Sequence, residues 1–209
     1  MDKYISIGWI FLLTAMAGDL LVSFILSLFY KGYSNLKMSI SALGNPSSPV
    51  RIPFNIWMFV EGALFIAALP AVFRAFYPLS AGITVTMMIF IGIFAVGSCI
   101  FTSFFSVNET KEIVTAASRI HGAGSVTGFM LFHLVPLFTA ILSFRISDLT
   151  TGIISAFCFA LSIVFFTLFV LSDKPEFKDT KIDNEGLWQR LDLLSMYLPL
   201  AFVAVRMLI

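Results

Sequence analysis

Six long apolar runs alternate with polar connectors along this chain: Ile5–Tyr30, Pro53–Phe76, Leu79–Phe105, Ile120–Phe144, Leu149–Leu171 and Leu187–Ile209. Each reaches the ~20 mostly apolar residues that cross the hydrocarbon of a bilayer. Hydrocarbon offers no partner for backbone N–H and C=O, so such a run must be a helix or part of a closed barrel. No run alternates with period two, which sets the barrel aside. Pro53 stands where a helix tolerates proline, in its first turn, and Gly186 precedes the last run. The pattern predicts an all-α fold, a polytopic membrane helix bundle with six transmembrane helices in one domain, residues 1–209.

Three connectors are long and polar: Lys31–Ile52, Ser106–Arg119 and Ser172–Gly186. The turns near Tyr77-Pro78 and at Arg145–Asp148 are short. With an even number of spans, the termini share a side with the short turns, so the long connectors share the other, the loop face. The stretch Tyr33–Glu61 (YSNLKMSISALGNPSSPVRIPFNIWMFVE) organises the chain. It is rich in Ser, Asn, Gly and Pro and leads into a helix that carries a carboxylate, Glu61, inside an apolar run. It reads as the lid and rim of a polar site.

Composition agrees with the pattern. Of the 209 residues, 59% are hydrophobic and 12% charged, and mean hydropathy is +0.97; soluble domains average about 45–50% apolar and about 25% charged. Net charge +1 says nothing about nucleic acid, but no basic cluster appears, and on that ground nucleic-acid binding is set aside. Cys99 and Cys158 lie inside apolar runs and read as small buried hydrophobes. No Cys/His spacing suits a metal, and no cofactor is expected. Ala15-Met16-Ala17 resembles a signal cleavage site, but the apolar run continues to Phe29, which favours an uncleaved first span.

Ionisable residues at membrane depth are costly and usually face the bundle interior. Asp19 lies mid-span in the first helix, with Ser23, Ser27 and Tyr30 on the same face toward the loop side. Ser98, Thr102 and Ser106 form a stripe on the third helix. Ser118, His121 and Ser125 do so on the fourth, Arg190, Asp192 and Ser195 on the sixth, and Asn55 and Glu61 on the second. Five stripes heading for one face predict a polar cavity opening there. For any single stripe the plainer account is that Ser and Thr bond their own backbone or join helices. Asp19 or Glu61 can equally be a packing residue, and Arg190 can snorkel to head groups.

His121, in RIHGAGS beside Arg119, is the candidate acid or base; its plainer role is a head-group hydrogen bond. Gly122 and Gly124 permit close approach. His133 lies about 18 Å further along the same helix, at roughly 1.5 Å per residue, and is turned round the axis. The two are no ligand pair for one metal or haem. Asp19, Glu61 and His133 are expected to share the midplane, in a proton relay or an internal salt network. No HExxH, GxSxG elbow or P-loop is present. Asn108-Glu109-Thr110 fits a glycosylation sequon, and Lys174–Glu185 reads as a solvated connector.

YSNLKMSISALGNPSSPV followed by Phe54-Asn55, then RIHGAGS, then GLWQRLDLL closely resemble, in that order, three motifs of the domain of unknown function 998 family. The resemblance spans nearly the whole chain. It implies a six-helix prokaryotic membrane protein of undefined activity, similar more distantly to eukaryotic proteins of the GPI lipid-remodelling and autophagy-modulator type. It marks Ser39, Ser41, Gly44, Asn55, His121 and Arg190. Nine Lys and Arg lie on the loop face (Lys31, Lys37, Arg51, Lys111, Arg119, Lys174, Lys178, Lys181, Arg190) and four on the other (Lys3, Arg74, Arg145, Arg206). That count alone points to a cytoplasmic loop face. The resemblance implies the reverse, with cytoplasmic termini, and is followed here because the long loops are diluted with acids.

Two function classes follow. One is a protein that binds or processes a membrane lipid or another amphiphilic ligand. Arg119, His121 and Arg190 would meet an anionic head group, Ser39, Ser41 and Asn55 would add hydrogen bonds, and Glu61 and Asp192 would complete the lining. The other is a small transporter, receptor or membrane-complex subunit without catalysis that uses Asp19 and Glu61. Short length and missing inverted repeats weigh against a transporter.

Overall fold

The computed structural model describes residues 3–108 and 114–209. Six helices are long and apolar enough to cross a membrane. They are α1 (Lys3–Ser27), α2 (Arg51–Phe76), α3 (Ala81–Phe104), α4 (Ala116–Arg145), α5 (Leu149–Ser172) and α6 (Glu185–Leu208). No strand occurs among the described residues. The fold is the expected six-span bundle, with boundaries displaced by a few residues. The first helix closes three residues before Tyr30, because Leu28, Phe29 and Tyr30 tighten into bonds to the third residue back, and Gly32 then takes a positive φ of 88°. The fourth begins four residues before Ile120. There Thr115 accepts from the Ser118 N–H while the Ser118 hydroxyl accepts from the Thr115 N–H, a reciprocal cap that satisfies two orphan donors. The sequon Asn108-Glu109-Thr110 and Lys111 fall on or across residues outside those described.

Close packing is set by small residues, as in membrane bundles generally. A Cβ at Gly8 of α1 would lie 2.7 Å from the Ala71 Cβ of α2, and one at Gly97 of α3 would lie 2.6 Å from the Gly124 carbonyl oxygen of α4. α6 is the central helix and α5 the peripheral one: half of the α6 span is buried against 17% of the α5 span. At the centre, Phe65 of α2, Phe94 of α3, Phe132 of α4 and Tyr197 of α6 form an aromatic quartet. The Phe94–Phe132 centroids are 4.6 Å apart and the Phe65–Phe94 pair meets edge to face.

Two helices are interrupted where it matters. In α3 a π-helical turn runs over Ala95–Ile100; such turns widen the helix locally. In α4 the helix breaks at His133, between Phe132 and Leu134. Pro136 explains the break: it lacks the N–H that would bond Phe132, and its ring crowds that carbonyl. The consequence is directional. The N-terminal half of α4 packs on α3, whereas the C-terminal half stays on α3 and adds contacts to α5 and α6.

Candidate functional site

A cavity of about 560 Å³ lies under the long connectors. Its ceiling is the first connector, Lys37 to Ala42, with Val107, Asn108 and Val114 of the next one. Its floor is formed by Asp19, Glu61, Cys99 and Phe94. Asp19 stands eight residues before the loop-face end of α1, so the floor is about 12 Å deep at 1.5 Å per residue.

The floor is a chain of polar contacts from four helices. Tyr197 Oη donates to Asp19 Oδ2 at 2.7 Å. Cys99 Sγ lies 3.6 Å from Glu61 Oε1 and donates to it. Asp19 and Glu61 are near enough to interact electrostatically. Glu61 is fully buried, and its Oε2 has no hydrogen-bond partner. Trp57 lies beside it, yet its indole N–H makes no hydrogen bond of acceptable geometry either. Two backbone features position this floor. Gly62, next to Glu61, lets α2 approach the Ala95 carbonyl oxygen, which a Cβ would meet at 2.7 Å. The π turn then turns both Ser98 and Cys99 toward the cavity.

One wall belongs to α4. Ser118, Arg119, His121, Gly122, Ser125, Val126 and Phe129 line it. His121 Nδ1 is 3.0 Å from the Phe105 carbonyl oxygen. A carbonyl only accepts, so Nδ1 carries the proton, and whenever the ring is neutral Nε2 holds the lone pair. The opposite wall is Phe166 and Phe169 of α5, with Glu185, Gln189 and Leu193 of α6. Because α4 leaves α5 at the His133 break, the cavity extends between the two helices at membrane depth, and Val126 on that side is exposed.

The ceiling is pinned to α6. Arg190 Nη1 donates to the Asn35, Met38 and Gly186 carbonyls, and Nη2 to Tyr33 Oη and Asn35 Oδ1. Tyr33 Oη donates onward to the Ser39 carbonyl at 2.9 Å. Burial, the largest influence, raises the Tyr33 phenol above its ordinary value, against a smaller opposing effect of Arg190. The Leu187 N–H bonds the Leu36 carbonyl, and Gln189 Oε1 accepts from the Ile40 N–H. Gly186 sits directly beneath, where a Cβ would collide with the Met38 carbonyl oxygen. Lys37 donates to the carbonyl and carboxylate of Asp183, so the last connector is tied to the ceiling rather than merely solvated.

Of the residues singled out from the sequence, Asp19, Ser39, Ser41, Glu61, Arg119 and His121 line the cavity, whereas Asn55, His133, Arg190 and Asp192 do not. Asn55 lies under Gly44, whose Cβ would be 3.0 Å from Asn55 Oδ1. Arg190 is committed to the first connector. His133 pairs with Asp192, Nε2 to Oδ1 at 2.9 Å, while its Nδ1 donates to the Phe129 carbonyl at 2.7 Å. Several stripe residues do bond their own backbone: Ser27 to Phe24, Thr102 to Ser98 and Ser195 to Leu191. Gln189, Cys99 and Tyr197 belong to the site although the sequence pattern did not mark them for it, and Lys37 stands in the connector read as its lid. Glu185, Gln189 and Leu193 recur every fourth residue, which was the available signal for the cavity-facing side of α6.

Fold and site together define a multi-pass helical membrane protein with a partly polar cavity beneath its long connectors. The sequence model of the family described as "Protein of unknown function (DUF998)" matches residues 12–206, and the chain belongs to that family. No curated protein and no solved structure matches the chain, so the more distant likeness to GPI lipid-remodelling proteins is not shown. Among the described residues no group of three or more His, Cys, Asp or Glu is placed to hold a metal.

Proposed function

We propose that the cavity holds the head group of a lipid or other amphiphile, with the ligand's chain leaving between α4 and α5. The observation that carries this reading is the parting of α4 at His133, which extends a cavity with a polar floor to the lipid-facing side of the bundle. Apolar walls with a few convergent polar groups are the usual character of a small-ligand site. At the mouth, Lys37 and Arg119 supply positive charge for an anionic group, beside Glu185, and Ser39 and Ser41 supply polar contacts. Mass spectrometry of extracts from protein purified in a mild detergent tests this: one dominant amphiphile is expected, and its loss from Arg119→Ala protein. Protein that carries no amphiphile and binds none when offered would overturn it.

His121 is the candidate acid or base should the bound molecule also be processed, since its Nε2 lone pair is the free end of an anchored ring. His121→Ala is then expected to keep the ligand and lose turnover. A second reading, a receptor or small transporter without chemistry, is favoured by the carboxyls of Asp19 and Glu61 on the cavity floor. It predicts that Asp19→Asn abolishes function while His121→Ala does not. On either reading the loop face is placed outside and the termini in the cytoplasm, which a reporter fused at the C-terminus would check.

A further inference from the structure

We infer that the floor of the cavity receives an organic ammonium group, so that the ligand enters amine-first; this rests on the amphiphile reading above and names the chemistry at its deep end. The charged side chains lining the cavity are sorted by depth. Among the described residues, Lys37, Arg119 and Glu185 lie at the mouth, and Asp19 and Glu61 alone lie at the floor. Among the described residues, neither Lys nor Arg donates to either floor carboxyl. Asp19 has only the Tyr197 hydroxyl and Glu61 only the Cys99 thiol.

The unpartnered atom sharpens the point. Glu61 Oε2 is buried and lacks a donor, although Glu61 lines the cavity. A buried acceptor without a donor is costly, and more so when charged. A neutral hydroxyl would supply a donor alone. An ammonium supplies several donors together with a counter-charge for the floor carboxyls. The ring of Phe94 also lines this end, and aromatic faces attract cations in desolvated sites. With Lys37 paired to Asp183, Arg119 at the mouth is left for an anionic group on the same molecule, as in a zwitterionic head group.

Three probes of equal chain length decide it: octylammonium, octanol and octyl phosphate, titrated by calorimetry into full-length protein in a neutral maltoside. Octylammonium is expected to bind about tenfold or more tightly than octanol, the margin of a charge-assisted contact. Glu61→Gln is expected to remove that margin and to leave octyl phosphate affinity within about twofold. Equal binding of octylammonium and octanol by the wild type would overturn the inference, as would unchanged octylammonium binding by Glu61→Gln. Binding of octyl phosphate without preference for the amine would leave the amphiphile reading standing and remove only this inference. Failure of all three probes would remove both. Should Glu61→Gln not fold, the wild-type comparison and Asp19→Asn separate the same outcomes.

Discussion

Arg190 grips Asn35 at two points, with Nη1 donating to its backbone carbonyl at 2.9 Å and Nη2 to its side-chain oxygen at 2.8 Å. The contact joins the start of the last helix to the first connector, across most of the chain. With Gly186 seated under Met38, it makes one structural unit of two motifs that are far apart in sequence. The planar fork of a guanidinium reaches several acceptors at fixed angles; an ammonium cannot. Arg190→Lys is therefore expected to cost about 2–4 kcal/mol from lost charge-assisted bonds. It should lower Tm in detergent and expose residues 33–45 to protease. An unchanged cleavage pattern would contradict the clamp.

The buried His133–Asp192 pair makes the opposite kind of prediction. Neither residue lines the cavity, and Asp192 Oδ2 has no partner. His133→Leu leaves a buried carboxyl uncompensated, at a cost of about 3–5 kcal/mol. Adding Asp192→Leu should recover most of that loss, because two apolar side chains pack where the pair was. Thermal melts of the two single variants and the double variant measure it. Retained function in the double variant would remove the relay expected from Asp19, Glu61 and His133.

Gly122 and Gly124 share a motif yet have different surroundings. A Cβ at Gly124 would lie 2.7 Å from the Gly97 carbonyl oxygen, whereas a Cβ at Gly122 meets nothing within 4 Å. Gly124→Ala should force α3 and α4 apart and destabilise by about 1–3 kcal/mol. Gly122→Ala should be neutral or stabilise by up to about 1 kcal/mol through helix propensity. Since Gly122 lines the cavity, its methyl group should also weaken ligand binding. Paired Tm and binding measurements separate the two outcomes.

Acid should loosen the connectors before the bundle. Hydrogen bonding from Lys37, then from the Asp179 N–H and Lys178, holds the Asp183 carboxyl below its ordinary value of 3.8. A depressed carboxyl stabilises above its unfolded pKa and loses that contribution as pH falls through the folded one. The clasp between first and last connectors is thus intact at neutral pH and released only below about pH 4. Hydrogen exchange of residues 34–38 should rise in that window, and Asp183→Asn should show the faster exchange already at pH 7. The Asp148–Arg206 pair on the other face, where Asp148 is depressed chiefly by the Thr151 hydroxyl, behaves with the same sign.

The number of helices, their approximate ends and the shared side of the long connectors follow from the sequence, because hydrocarbon thickness and backbone hydrogen bonding act locally on each apolar run. Helical periodicity also shows which residues share a face, so Asp19, Ser23 and Ser27 are read correctly as inward. Periodicity gives an angle around one axis and no partner across the bundle. Tertiary packing alone decided that Asp192 turns to His133 instead of the cavity, that Arg190 holds a connector, and that Tyr197 and Cys99 meet the floor carboxyls. Those outcomes depend on how α4 diverges at Pro136 and where the π turn in α3 rotates its side chains. Small local changes of direction there are multiplied along rigid helices, and no pairwise spacing in the sequence records the result.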